Sequence, residues 1–190
     1  MKTRESGMPE EERWREFFDT EAILRLLKLN SSCRDVVEFG CGYGTFTIPA
    51  ARIVRGTVHA LDIEPEMVAI TKYKAEAKGL RNVQVCLRDF VSDGTELPVA
   101  SADYAMLFNI LHAEQPERLL RECYRVLVSG GILEIIHWNY DPTTPRGPSM
   151  EIRPRAEQCC DWAVKEGFQL LAPGIVSLPP YHYGMTLERP

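Results

Sequence analysis

The sequence predicts an α/β fold, a doubly wound and mostly parallel sheet, and three observations carry that expectation. Short apolar runs that read as buried strands recur along the chain, with helical stretches between them, the order expected of βαβ units. The first run, Val36, Val37 and Phe39, stops at a turn in which Gly40, Gly42 and Gly44 alternate. The second, residues 57–63, ends in Asp62, which stands 22 residues after Gly40. Nucleotide-binding α/β folds place the carboxylate that holds a ribose hydroxyl pair at about this spacing.

The elements follow in order. Residues 9–18 open with Pro9 and three glutamates, which favour a helix start, and carry Trp14, Phe17 and Phe18. Residues 20–29 set Ile23, Leu24, Leu26 and Leu27 on a broad apolar stripe, so a second helix is expected to pack on the sheet. The glycine turn occupies residues 40–44. With Thr45 as N-cap, Pro49 becomes the fourth helical residue, where its missing N–H has no intrahelical partner to lose. After the second strand a helix runs from Glu64-Pro65-Glu66 to Lys78, with Gly79 past its end.

Residues 82–88 alternate as a third strand that delivers Asp89 and Phe90, and residues 101–110 form a central fourth strand ending at Asn109 and His112. An amphipathic helix is expected over 117–128, ended by Gly130 and Gly131, before a fifth apolar strand at 132–138. Four prolines and a glycine make 139–154 a loop. A last helix at 157–166 and two strands at 168–178 and 183–188 complete the chain.

Composition bounds the function. The 190 residues suit one core, so a single domain over 31–190 is expected, preceded by a helical arm, 1–30, able to cover a site. The hydrophobic fraction of 45% and charged fraction of 26% are those of an ordinary globular protein. No apolar run approaches the ~20 residues of a membrane span, and the first ten residues lack a signal-peptide core. A cytoplasmic location without a membrane partner is expected. The net charge of −5 argues against a nucleic-acid backbone as partner and favours a small acceptor. The six cysteines include no C-x-x-C pair and read as core thiols of a reducing compartment, and no metal site is expected.

Glycines at 40, 42 and 44 permit positive φ and let the backbone approach a ligand with no Cβ between them. The dinucleotide fingerprint G-x-G-x-x-G needs glycine where this chain has Thr45. Glu38, two residues before the turn, suits instead a site that also holds an amino group. Glu38-Phe-Gly-Cys-Gly-Tyr-Gly resembles motif I, E/D-x-G-x-G-x-G, of the class I S-adenosylmethionine-dependent methyltransferases. Three further signatures in the same order extend the resemblance across residues 35–138: Asp62 with Met67, Leu97-Pro98 before the fourth strand, and Arg125-Val-Leu-Val-Ser-Gly-Gly.

The resemblance implies a Rossmann-like sheet of seven strands with an antiparallel edge strand, of the small-molecule, single-domain type. It implies S-adenosylmethionine as cofactor, in a site formed by Glu38, Gly40, Cys41, Gly42, Gly44, Asp62, Ile63, Met67, Asp89, Phe90 and Asn109. In these terms Met67 lies under the adenine, Asp89 accepts its amino group, and the Phe90 N–H meets a ring nitrogen. Methyl transfer is an in-line displacement that alignment and desolvation can accelerate, with His112 as candidate base and His137 as a packed histidine. Two other readings stand beside it, a non-catalytic member that binds cofactor or partner, and an NAD(P)-dependent reductase. No N-P-P-Y or D-P-P-Y run follows the fourth strand, which disfavours amino groups of the adenine or glutamine type. Oxygen, sulphur, carbon, arsenic and small amines stay open as acceptors.

Overall fold

Strands rich in Val, Leu and Ile need cover on both faces, and the helices between them supply it. The computed structural model describes residues 10–190. Its strands are Val36–Phe39 (β1), Val58–Asp62 (β2), Val83–Leu87 (β3), Ala102–Phe108 (β4), Leu127–Trp138 (β5), Gln169–Leu178 (β6) and His182–Glu188 (β7). The helices are Glu11–Arg15 (α1), Thr20–Leu26 (α2), Thr47–Ile53 (α3), Pro65–Ala77 (α4), Pro116–Val126 (α5) and Ala156–Lys165 (α6). One sheet holds all seven strands in the order β3-β2-β1-β4-β5-β7-β6. The first five are parallel, while β7 runs antiparallel between β5 and β6.

Each face has its own core. Leu119, Leu120 and Cys123 of α5 and Cys159 and Ala163 of α6 pack on Val37, Phe39, Leu107 and Ile135. Leu24 of α2 and Ala50 and Ala51 of α3 pack on Val36, Tyr104, Met106 and Ile136 opposite. The chain leaves β1 towards β2 on one side and reaches β4 on the other, so the strand order reverses between β1 and β4. Helices diverge at such a switch point, and a crevice opens beyond the strand ends.

Several boundaries move for physical reasons. The expected start of the first helix, Pro9, lies outside the described residues, and α1 ends at Arg15. Thr45 is not the N-cap. The turn continues to Phe46 and α3 begins at Thr47, which makes Pro49 its third residue, still in the turn where no N–H is needed. Helix α5 ends at Val126, two residues early, because Leu127 is already extended and pairs with Ala102 of β4. The cysteines are all free, yet Cys86 is exposed, on β3, an edge strand of the sheet.

The opposite end of the sheet is pinned by carboxylates. Asp103 accepts the N–H groups of Arg34 (3.0 Å) and Asp35 (2.9 Å), and Asp35 accepts that of Thr57 (2.9 Å). Gly56 passes against this corner, where an added Cβ would lie 2.4 Å from the Arg34 carbonyl oxygen. Gly56→Ala is therefore expected to cost about 1–3 kcal/mol, seen as a lower midpoint of thermal unfolding. An unchanged midpoint would show that the corner yields freely.

Candidate functional site

The turn after β1 owes its shape to three left-handed glycines and to the strand beside it. Gly40, Gly42 and Gly44 have φ of +79°, +51° and +74°, values that side chains with a Cβ adopt at a cost. The N–H groups of Gly40 and Cys41 both donate to the Leu61 carbonyl at 2.9 Å. Asp62 then takes hold of the turn with both carboxylate oxygens. One accepts the Gly42 N–H at 2.8 Å, the other the Glu64 N–H at 3.0 Å. From α4 the Thr71 hydroxyl donates to the Gly42 carbonyl at 2.7 Å.

These contacts frame a cavity of about 400 Å³ at the switch point, within the size range of small-molecule sites. The glycine turn forms one wall, and Asp62, Glu64 and Met67 a second. Phe108, Asn109, Ile110 and His112, at the end of β4, form a third. Trp14, Trp138 and residues 145–148 close the far side. Of the residues singled out in the sequence, Glu38, Gly40, Cys41, Gly42, Asp62, Met67, Asn109 and His112 meet here.

Gly44, Ile63, Asp89 and Phe90 do not line this cavity. Gly44 serves helix packing instead, since a Cβ there would sit 3.1 Å from the Thr71 side chain. Ile63 faces solvent, and Asp89 accepts the N–H of Ser92 at 3.1 Å. Phe90 packs edge-on against Phe39 beneath Gly40, ring centres 5.5 Å apart. Phe46, Phe108 and the 145–148 segment had no motif to announce them. The signal for the last was indirect, a proline-rich loop leaving a strand whose C-terminal end carries Trp138.

Two polar side chains in the walls lack partners among the described residues. Both side-chain polar atoms of Asn109 are buried and unpaired, as is the Thr45 hydroxyl. Such groups are costly unless something satisfies them. Glu38 is buried and accepts the Thr47 hydroxyl. Desolvation, aided by the nearby Asp62 charge, pushes its pKa up to about 8 in spite of that bond. Burial likewise pushes the Cys41 thiol up. His112 is held neutral, lowered to about 4 by burial and by the Arg153 charge.

The loop over the far side is built around one guanidinium. Arg153, only 7% exposed, donates to the carbonyls of Asn139, Asp141, Arg146 and Pro148 and to the Thr144 hydroxyl. Gly147 passes so close that a Cβ would lie 2.7 Å from that guanidinium and 3.0 Å from Trp138. Arg153→Met strands those carbonyls, so limited proteolysis is expected to nick residues 139–154 several-fold faster than in the wild type. Equal cleavage rates would show that the loop keeps its form without the arginine.

Comparison with known proteins agrees with this geometry. A family model described as a methyltransferase domain matches residues 36–131. Aklanonic acid methyltransferase DauC of a Streptomyces species is 37% identical over 73 residues, 37% of this chain and 32% of that protein. The chain spans about half or less of the length of the first curated relatives it matches. A crystal structure of an S-adenosylmethionine-dependent methyltransferase from Aquifex aeolicus superposes with a TM-score of 0.83 at 24% identity, covering 95% of this chain and 94% of that one. The cyclase SpnF superposes with a TM-score of 0.76 at 20% identity, covering 90% and 80%. With the family model matching half of its length at the strands and turn that frame the cavity, this chain belongs to the class I S-adenosylmethionine-dependent methyltransferases.

Proposed function

We propose that the protein transfers a methyl group from S-adenosylmethionine to a small-molecule acceptor by in-line displacement. The observation that carries this reading is the excess of carboxyl groups over basic ones in the cavity walls. Three carboxyl groups, Glu38, Asp62 and Glu64, stand in its walls beside the glycine turn, against a single arginine, Arg146, on the far side. Such a wall favours a ligand with cationic groups and disfavours a pyrophosphate. When bound, S-adenosylmethionine supplies an electrophilic methyl on a sulphonium.

The residues fit that group. Asp62 spends one lone pair of each oxygen on Gly42 and Glu64, which leaves each oxygen able to accept a ribose hydroxyl. Glu38 ionises to meet an ammonium, while Thr45 and Asn109 offer buried polar atoms that a ligand would satisfy. Met67 gives an apolar surface for an adenine ring. Trp14 from the arm and Trp138 from β5, ring centres 6.3 Å apart, cover the acceptor side, so residues 10–30 act as a lid on the domain. The cyclase SpnF shares the fold, so the site, not the fold, carries the functional reading.

No helix among the described residues is long and apolar enough to cross a membrane. The free cysteines support a reducing, cytoplasmic setting, and the net charge of −5 supports a small acceptor over nucleic acid.

Calorimetry tests the reading. S-adenosylmethionine and S-adenosylhomocysteine are expected to bind and NADH not to. Heat with NADH and none with S-adenosylhomocysteine would overturn it. Glu38 adds a pH signature. Below about 8 it is protonated and must lose its proton to meet a cation, so affinity should climb with pH and level off above that value. Its raised folded pKa also means that the unliganded protein loses stability as pH rises from the unfolded value towards about 8. Glu38→Gln should flatten both slopes, and retention of either would remove Glu38 from the site. Asp62→Ala removes the ribose acceptor and leaves the Gly42 and Glu64 N–H groups unpaired, so it should weaken binding by ~1–3 kcal/mol, roughly 5- to 150-fold. Tyr43→Ala, outside the cavity, should change affinity less than twofold. Similar losses in the two variants would displace Asp62 from its role.

A further inference from the structure

The two edges of the sheet are built differently. One side ends in β6, which is interrupted by Pro173 and Gly174 and shifts its register on β7 between Leu170 and Ile175. Such interruptions keep an open edge from pairing with another chain. The other side ends in β3, Val-Gln-Val-Cys-Leu, which holds no proline, glycine or charge and has β2 as its one partner strand among the described residues. An unguarded edge of this kind is a template for a further strand.

The hydrogen bonds to β2 fix which groups of β3 point outward. The Val58 N–H donates to the Asn82 carbonyl at 2.8 Å, and the Arg88 N–H to the Asp62 carbonyl at 2.7 Å. Even-numbered residues therefore turn their backbone groups to β2, while Val83, Val85 and Leu87 turn theirs away from the sheet. The side chains at this edge are open as well. Leu87 is 57% exposed, and Gln84 and Cys86, which share the other face, are exposed. Successive right-handed crossovers put α3 and α4 on one face of the sheet and the return from β3 to β4 on the opposite one. That return, residues 88–101, holds no helix, so the face with Gln84 and Cys86 lacks the cover that a parallel sheet ordinarily has.

We propose that β3 pairs antiparallel with β3 of a second copy of this chain, about a two-fold axis at Val85, joining two seven-stranded sheets into one. A two-fold axis uses the same patch on both subunits, so outward-facing residues must stand opposite one another. Axes at Gln84, Val85 and Cys86 all meet that condition. The axis at Val85 uses the whole strand. Val85 meets its own copy and Val83 meets Leu87, each pair exchanging both of its N–H···O bonds with its apolar side chains on one face. Arg81, exposed just before the strand, then stands opposite Asp89 just after it, a pairing of opposite charge at each end of the ladder. An axis at Gln84 sets Arg81 against Leu87, and one at Cys86 sets Asp89 against Val83, so each leaves a charge facing an apolar side chain. The interface lies at the side of the sheet and the cavity beyond the strand ends, so the inference is independent of the methyltransferase reading.

Sedimentation equilibrium reads the dimer. The weight-average mass should rise towards twice that of one chain as concentration increases. Val85→Lys sets two ammonium groups against each other on the axis and should hold the mass at that of one chain, with an unchanged far-UV circular dichroism spectrum. A wild type that stays monomeric up to ~1 mM chain, or a Val85→Lys variant that still dimerises, would overturn the proposal.

Disulfide trapping reads the register. The axis at Val85 puts Gln84 directly opposite Cys86 of the second copy in a non-hydrogen-bonded pair, with Cα atoms ~4.5 Å apart, inside the ~4.4–6.8 Å that a disulfide bridges. Cys86 and its own copy lie on the diagonal, ~7–8 Å apart. Gln84→Cys should therefore give a reducible covalent dimer on mild oxidation, lost again when Cys86→Ser is added, while the wild type stays uncrosslinked. Crosslinking of the wild type through Cys86, or none in Gln84→Cys, moves the axis off Val85 and sinks the proposal. The trapped pair carries the decision if Val85→Lys does not fold. Neither Gln84 nor Cys86 lines the cavity, so a wild type that fails to bind S-adenosylhomocysteine fells the methyltransferase reading and leaves the dimer standing.

Discussion

One carboxylate organises the site. Asp62 ends β2 and holds the N–H groups of Gly42 and Glu64 at once, tying the glycine turn after β1 to the start of α4. Two backbone donors would otherwise be buried without partners, a cost comparable to a lost hydrogen bond each. The left-handed glycines make the turn possible, and Asp62 makes it a single conformation. A ligand that uses the remaining lone pairs of Asp62 is read against a rigid frame, so less of its binding energy goes into ordering the protein.

Around that frame the protein keeps several polar groups in unfavourable states. Glu38 is buried with no counter-ion among the described residues, and the side chain of Asn109 is left unpaired on a left-handed backbone, φ +59°, at the end of β4. Strain and unsatisfied polarity of this kind gather where a ligand relieves them. Glu134 lies on the same sheet face as Glu38, in register with it through Met106, but outside the cavity walls; it accepts the Thr186 hydroxyl, and burial raises its pKa.

The far wall rests on a different device. A loop of 16 residues with four prolines could take many forms, but one buried guanidinium gathers its carbonyls and sets residues 145–148 against Trp138. Phe17 and Trp138 meet edge-on at 5.5 Å, which draws the N-terminal arm to the same wall. The far wall and the glycine turn therefore rest on separate parts of the chain. The loop and arm can change without disturbing the turn that Asp62 holds.

By itself the sequence determined the strands, their order of appearance and the glycine-turn side of the cavity. Those features are local, since a glycine turn, an acid at a strand end and an apolar run are each legible within a dozen residues. Asp89 and Phe90 were legible as a strand end too, yet Phe90 packs beneath Gly40 and neither lines the cavity. Which way a residue points from a strand end depends on its neighbours in space. The helix limits at Thr47 and Val126 were decided by the length of the turn and by the pairing of Leu127 with Ala102. Only the tertiary structure could join His112 to His137, 25 residues apart in the chain and 3.3 Å apart across adjoining strand ends. No pattern along the chain encodes that meeting, because the register of β4 on β5 and the left-handed exit at Asn109 bring the two rings together.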